Sequence, residues 1–191
     1  MTRDEILEAA AGIIREKGFH ATSMQDIAAA VDLRKASLYH HVSSKQEILV
    51  DLLDKALDLL ILNMQAVVEP DIPADEKLRQ AIRSYLNILT ENPGLTSVLL
   101  LEHRSLEDEY RQRHVPRRDA YEKFWTEILQ QGVDQGLFDC REPKMAVKAI
   151  LGIANWTIMW FNPDGRLSSD QISDVSADLI LNGLFKRGNG I

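Results

Sequence analysis

The run Asp32-Leu33-Arg34-Lys35-Ala36-Ser37-Leu38-Tyr39-His40-His41 concentrates the chemistry of this chain: two cations and a hydroxyl, then an aromatic hydroxyl and two imidazoles. Cationic and hydroxyl groups offered early on a short helix suit the gripping of phosphates and the touching of base edges in the major groove of DNA. The same residues admit blander readings. Tyr39 also fits a core aromatic with its hydroxyl at the rim, and Arg34 with Lys35 an ordinary solvated pair. A metal site at His40 and His41 fits poorly, because adjacent side chains on one helix point about 100° apart and no third ligand follows.

A second set lies further along. Tyr85, Tyr121, Phe124-Trp125, Trp156, Met159 and Trp160-Phe161 either fill a core or line a roomy apolar interior. Asn155, polar within an apolar helix, either orients a ligand or satisfies a neighbouring carbonyl. Arg104, Arg111, Arg113, His114, Arg117 and Arg118 form a dense cationic stretch, suited either to a phosphorylated effector or to a solvated segment balanced by Glu102, Glu107, Asp108 and Glu109.

Composition narrows the classes. With 191 residues, 45% of them hydrophobic, the chain can bury a real core. No apolar run reaches the eighteen or so residues of a membrane span, and Thr2, Arg3 and Asp4 open no signal core, so a cytoplasmic protein with no membrane partner is expected. The lone Cys140 excludes an internal disulfide and a multi-thiolate zinc site. The net charge of −7 argues against a protein that coats nucleic acid, and it is uneven: residues 1–50 hold six Lys/Arg against seven Asp/Glu, the remainder sixteen against twenty-two. Glycine-rich phosphate loops and His-Glu-x-x-His or Gly-x-Ser-x-Gly signatures are all missing from the sequence, and His103 with Glu107 reads as a solvated pair. Neither an enzyme nor a metal or cofactor is expected.

The elements that must position these groups read as helices throughout. Apolar residues recur at three and four, with no strand-like alternation. Thr2 and Glu5 form a capping box for a helix ending at Gly18. Ser23 with Asp26 starts a short helix 24–31, and a third covers about 35–41. Ser44 with Glu47 opens a long helix to about Val68, ended by Pro70 and Pro73. Further helices are expected at 74–91, 94–110, 117–135, 143–161 and 169–186, punctuated by Pro93, Pro116, Pro143 and the turn at 162–165. The fold class is all-α: a helix-turn-helix module over residues 1–45, joined by a long helix to a larger helical domain over residues 46–191. Two short helices survive only when packed on a third, and in such a unit the second reads the groove. Lys45, in the first turn of the long helix, adds its charge to unpaired amides that already favour an anion.

Residues 6–53 resemble the DNA-binding module of TetR-family repressors through Ile6-Leu7-Glu8-Ala9-Ala10, Gly18-Phe19, Thr22, Ile27-Ala28, Leu38-Tyr39-His40-His41, Lys45 and Leu49. Asp32 stands where that family usually has a turn glycine, Arg34 where it often has a capping serine, and Val42 for a frequent phenylalanine. The resemblance implies phosphate contacts for Thr22, Tyr39, His40 and Lys45, and base contacts for Lys35, Ala36 and Ser37. It also implies a homodimer built on the last two helices, with apolar stripes at Ile150, Leu151, Ala154, Ile158 and at Ile172, Val175, Leu179, Gly183. Arg117-Arg118-Asp119, Tyr121-Glu122, Leu151 to Trp156 and Trp160 to Gly165 are similar to TetR-type regulators of fatty-acid and steroid catabolism that respond to acyl-CoA thioesters. That implies a repressor released from a palindromic duplex operator by such an effector, held by Tyr85, Arg104, Arg117, Arg118, Tyr121, Trp125, Asn155, Trp156 and Met159. The rival readings are a helical enzyme and a small-molecule-binding protein that has lost DNA recognition.

Overall fold

Local signals in the sequence start most of the helices. In the computed structural model, which describes residues 2–184, Thr2 accepts the Glu5 amide while Glu5 accepts that of Thr2, and helix α1 (Arg3–Lys17) runs to Gly18. The same reciprocal arrangement at Ser23 and Asp26 opens α2 (Met24–Ala30), and α3 is the single turn Lys35–Leu38. Ser44 caps α4 (Lys45–Val68) by accepting the Glu47 amide at 3.0 Å. The Glu47 carboxylate does not complete the expected box; it accepts the Ser43 amide at 2.6 Å and pairs with Arg3. Beyond these come α5 (Ala74–Glu91), α6 (Pro93–Ser97), α7 (Asp108–Asp134), α8 (Pro143–Asn155), α9 (Thr157–Trp160) and α10 (Ser169–Leu184), with no strand among the described residues.

Three expected helices came out differently. The helix expected over 94–110 is α6 followed by a π-helical turn (Val98–Glu102) and a 3₁₀ turn (His103–Ser105). Pro116 does not separate two helices but lies inside α7. Proline removes one amide donor, and the carbonyl it deserts belongs to Gln112, an exposed residue. The helix expected over 143–161 breaks at Trp156, between α8 and α9. The expected end of the last helix, at residues 185 and 186, lies outside the described residues.

The chain forms two compact units that do not divide at residue 45. Unit 1 takes the chain up to Leu59 together with Asn92–Arg117; unit 2 takes Leu60–Glu91 and everything from Arg118 onward. Helices α4 and α7 therefore each have residues in both. In unit 1, Ile6, Ala10 and Ile14 of α1 are buried with Phe19, Ile27, Leu38, Ile48, Leu49, Leu52 and Leu53. Each large apolar side chain so buried contributes about 1.5–3 kcal/mol, which is how a one-turn helix such as α3 is held: Leu38 anchors it. In unit 2, Leu78, Ile82, Leu86 and Leu89 of α5 share a core with Trp125, Ile128, Leu129, Ile150 and Leu181. The buried Lys77 donates to the Val68 carbonyl at 3.0 Å, capping the end of α4.

Asp32, in the turn between α2 and α3, has φ 53°. A side chain in this left-handed region costs about 1–2 kcal/mol, partly relieved for Asp. Asp32→Gly is therefore expected to raise unfolding stability by about 0.5–1 kcal/mol, measured as a higher denaturant midpoint at unchanged slope. A lower midpoint would show that the Asp32 carboxylate compensates its own backbone.

Candidate nucleic-acid interface

Helix α3 is fastened from beneath and bare on top. Leu38 is fully buried, whereas Arg34, Lys35, Ala36, Tyr39 and His40 are exposed and Ser37 half-exposed. Tyr39 is 46% exposed, which removes the core-aromatic reading of its ring. Arg34 occupies the N-cap position and makes no side-chain capping bond, so its guanidinium is not spent on its own helix. The backbone closes the turn instead: Leu33 donates to the Ala28 carbonyl at 2.8 Å and Ser37 to that of Arg34 at 2.9 Å. Cationic, hydroxyl and aromatic-hydroxyl groups thus share one short solvent-facing segment, as phosphate and base contacts require.

Two residues expected to touch phosphates are engaged otherwise. The Lys45 ammonium donates to the carbonyls of Phe19 at 2.8 Å, His20 at 3.4 Å and Thr22 at 2.7 Å, and sits 4.4 Å from the centre of the Phe19 ring. Its three protons are then all committed. Lys45 clamps the loop between α1 and α2. Thr22 is 1% exposed and its hydroxyl donates to the Gly18 carbonyl at 2.9 Å. It fixes the same loop from within.

Further residues of unit 1 hold this module, and local sequence signals do not reveal them. Glu102, at the end of the π-helical turn, accepts the Phe19 amide at 3.2 Å. Gln46 donates to the Ser105 carbonyl at 2.8 Å, and the Ser105 hydroxyl lies 3.2 Å from His20 Nε2. Arg3 donates to the His41 carbonyl and to Asp51 and pairs with Glu47, tying the start of α1 to α4. The partners are tens of residues apart in sequence, beyond the reach of any spacing rule.

Unit 2 gathers four of the expected effector residues. Tyr85 donates its hydroxyl to Asn155 Oδ1 at 2.5 Å. Its ring lies 5.8 Å from that of Trp125, edge-on, and 6.2 Å from that of Tyr121. Trp125 has no exposed surface. Burial pushes the Tyr85 and Tyr121 hydroxyls well above the ordinary phenol range. Both folded pKa values lie above the unfolded value near 10, so these groups add stability that is complete below about pH 10 and lost as pH rises through the folded values. In an alkaline absorbance titration two of the four tyrosines are expected to ionise only as the protein unfolds. Four simultaneous ionisations near pH 10 in a still-helical protein would contradict this burial.

Trp156 and Met159 do not join this cluster. They are 65% and 57% exposed, turned outward by the break between α8 and α9. The arginines also separate. Arg117 pairs with Asp54 and Asp58, Arg118 with Asp119 and Glu122, and Arg104 is exposed. In the expected stripes, Ile150, Ala154 and Ile172 face the core of unit 2, while Val175 and Leu179 face out along with Ile153 and Trp160. Among the described residues no group of three or more His, Cys, Asp or Glu could hold a metal, and no helix is long and apolar enough to cross a membrane.

Residues 6–52 match the family model for bacterial regulatory proteins of the tetR family, and residues 71–184 match that for the tetracyclin repressor-like C-terminal domain. The protein belongs to the TetR family. It is therefore a transcriptional regulator and not an enzyme. Among TetR-family structures, PfmR from Thermus thermophilus is similar at 38% identity, covering 95% of this chain and 99% of that one, with a TM-score of 0.86. AibR in complex with isovaleryl coenzyme A and operator DNA is similar at 33% identity, covering 96% and 97% of the two chains, with a TM-score of 0.85. The transcriptional repressor KstR2 of Mycobacterium tuberculosis is 27% identical over 188 residues, which are 97% of this chain and 94% of that protein. Within the TetR-family module, the positive φ at Asp32 explains why glycine is usual there.

Proposed function

We propose that this TetR-family protein is a repressor that binds a palindromic duplex operator as a homodimer and is released from it by a small-molecule effector of the acyl-CoA thioester class. The observation that carries the reading is α3: a solvent-facing turn with Arg34, Lys35, Ala36, Ser37, Tyr39 and His40 on its surface and Leu38 beneath. Arg34, Lys35, Ala36 and Ser37 read base edges, and Tyr39 and His40 hold phosphates. Thr22 and Lys45 act through the loop they fasten.

Two half-sites one helical turn apart, about 34–36 Å, need two reading helices. The outward apolar side chains of α8 to α10 support pairing of two copies there, since exposed apolar area of this kind marks an interface. The coenzyme A complex of AibR supports that ligand class, and Tyr85, Tyr121, Trp125 and Asn155, packed on one another in unit 2, are the aromatic and amide groups that an effector would have to part to enter this core. Helix α4 transmits occupancy, because it carries Lys45 at its first turn and continues into unit 2. Release needs a difference in effector affinity between the two states. As a regulator of operator DNA, the protein acts in the cytoplasm.

The test is selection of random duplexes against the full chain, followed by titration of acyl-CoA, free fatty acid and free CoA into the bound complex. Enrichment of a palindrome is expected. Lys35→Ala should cost about 1–3 kcal/mol on the selected site and relax its specificity at one base position. No enriched site would sink the DNA reading, and no shift in DNA affinity with any of the three ligands would sink the effector class.

A further inference from the structure

The core of unit 2 holds an indole N–H that no acceptor meets in bonding geometry: Trp125 has no exposed surface, and its Nε1 is unpaired. The Tyr121 hydroxyl lies close enough to feel that N–H without forming a bond of ordinary geometry, the two rings standing edge to face at 6.5 Å. A buried donor left without an acceptor is costly, and nearly all such groups in folded proteins are paired. A donor kept in that state suits a partner that arrives from outside.

Its surroundings set how a partner reaches it. Tyr85, edge-on to Trp125 at 5.8 Å, spends its hydroxyl on Asn155 Oδ1 at 2.5 Å. Asn155 is half-buried and is the last residue of α8, at the break before α9, so it can turn aside without unwinding the middle of a helix. All of these residues belong to unit 2.

Charge decides the chemical form that can enter. Among the described residues the buried cation of unit 2 is Lys77, and it holds the Val68 carbonyl at 3.0 Å. Arg118, on α7 with Tyr121 and Trp125, is spent on Asp119 at 3.1 Å and Glu122 at 3.7 Å. Burial and then the charge of Glu122 hold the Tyr85 hydroxyl above the ordinary phenol range, and no cation draws it or Tyr121 down. An ionised carboxylate entering here loses its water and gains no counter-charge, whereas a neutral carbonyl needs only a donor.

We propose that the effector's neutral carbonyl oxygen accepts the Trp125 indole N–H where Tyr85 and Asn155 part, so that unit 2 reads a thioester carbonyl and not a carboxylate. The proposal deepens the effector reading above and rests on it. The loaded core gains a bond that the closed core lacks, which is the difference in affinity between two states that release from DNA requires.

Calorimetric titration of the full chain with hexanoyl-coenzyme A and with hexyl-coenzyme A, the thioether in which a methylene replaces the carbonyl, tests this. The wild type is expected to prefer the thioester by about tenfold or more. Trp125→Phe keeps a ring and deletes the donor, and should bring the two affinities to within about twofold of each other; the ratio cancels what the smaller ring does to packing. In competition against hexanoyl-coenzyme A, methyl hexanoate should displace it at about a tenth of the concentration that hexanoate needs. An ester that fails to displace, or an acid that displaces as well, overturns the selection of a neutral carbonyl. A wild type without preference, or a Trp125→Phe protein that keeps it, takes the carbonyl off Trp125 and overturns the site; release of the operator complex by hexanoyl-coenzyme A then leaves the effector reading standing. If neither coenzyme A compound binds the wild type or shifts its DNA affinity, both fall together. Should Trp125→Phe fail to fold, the wild-type ratio decides by itself.

Discussion

Leu179→Glu is expected to turn a dimer into a folded monomer. In the single chain Leu179 is 66% exposed on α10, so a carboxylate there meets water and costs the fold of one copy little. In the proposed dimer the same carboxylate is buried against the partner's apolar face. An ionised group left unpaired in an apolar interface costs on the order of 3–5 kcal/mol, and a twofold interface carries it twice. That sum exceeds what an interface at micromolar concentration can absorb. Sedimentation should show a single chain, with helical circular dichroism unchanged. DNA affinity should fall with it, because one reading helix sees only one half-site. Ile172→Glu provides the contrast: Ile172 is 8% exposed and faces the core of unit 2, so it should unfold that unit and leave no soluble monomer. A Leu179→Glu protein that still sediments as a dimer would move the interface elsewhere.

The second large effect belongs to Lys45. Its ammonium is the shared donor for the carbonyls of Phe19, His20 and Thr22, and the Phe19 ring lies under it. Lys45→Met keeps the stem and removes the donors. Hydrogen bonds to a charged group are worth about 1.5–3 kcal/mol each, less where water reaches the abandoned carbonyl. A total loss of about 2–4 kcal/mol is expected, seen as a lower denaturant midpoint. DNA binding should weaken for every sequence alike, because the loop that sets the angle of α2 and α3 loosens. The salt dependence of binding separates this from a direct contact. A lysine neutralising a phosphate contributes nearly one unit to the slope of log K against log salt. For a clamp, the slope of Lys45→Met should match the wild type; a fall of about one unit at unchanged stability would restore the phosphate contact that the sequence suggests.

Both results turn on side chains whose partners are distant in the chain, and this divides what was legible early from what was not. Capping at Thr2, Ser23 and Ser44 and the three-four apolar spacing could be read directly, because helix starts depend on hydrogen bonds between residues three apart. The reading turn could also be placed, since a run such as Arg34 to His41 has one buried anchor, Leu38, and polar groups around it. The helix breaks were harder. Pro116 reads as a terminator in sequence, yet one missing amide inside the long α7 costs less than the packing that keeps the helix whole. The break at Trp156 and the π-helical turn at Val98–Glu102 carry no proline or glycine at the point of change that would mark them in the sequence.

Residue types and spacing determined an all-helical chain with a solvent-facing, phosphate-seeking turn near its start, since those features rest on short-range hydrogen bonds and periodicity. Which cation is free and which is spent was decided only by tertiary structure. Lys45 and Arg117 look available in sequence and are consumed, the one by three backbone carbonyls and the other by Asp54 and Asp58. Trp156 and Met159 look like pocket walls and stand outside, while Tyr85 and Asn155, 70 residues apart, meet at 2.5 Å. A charge or an apolar ring acts on whatever lies within a few ångströms, and chain folding, not chain order, sets those neighbours.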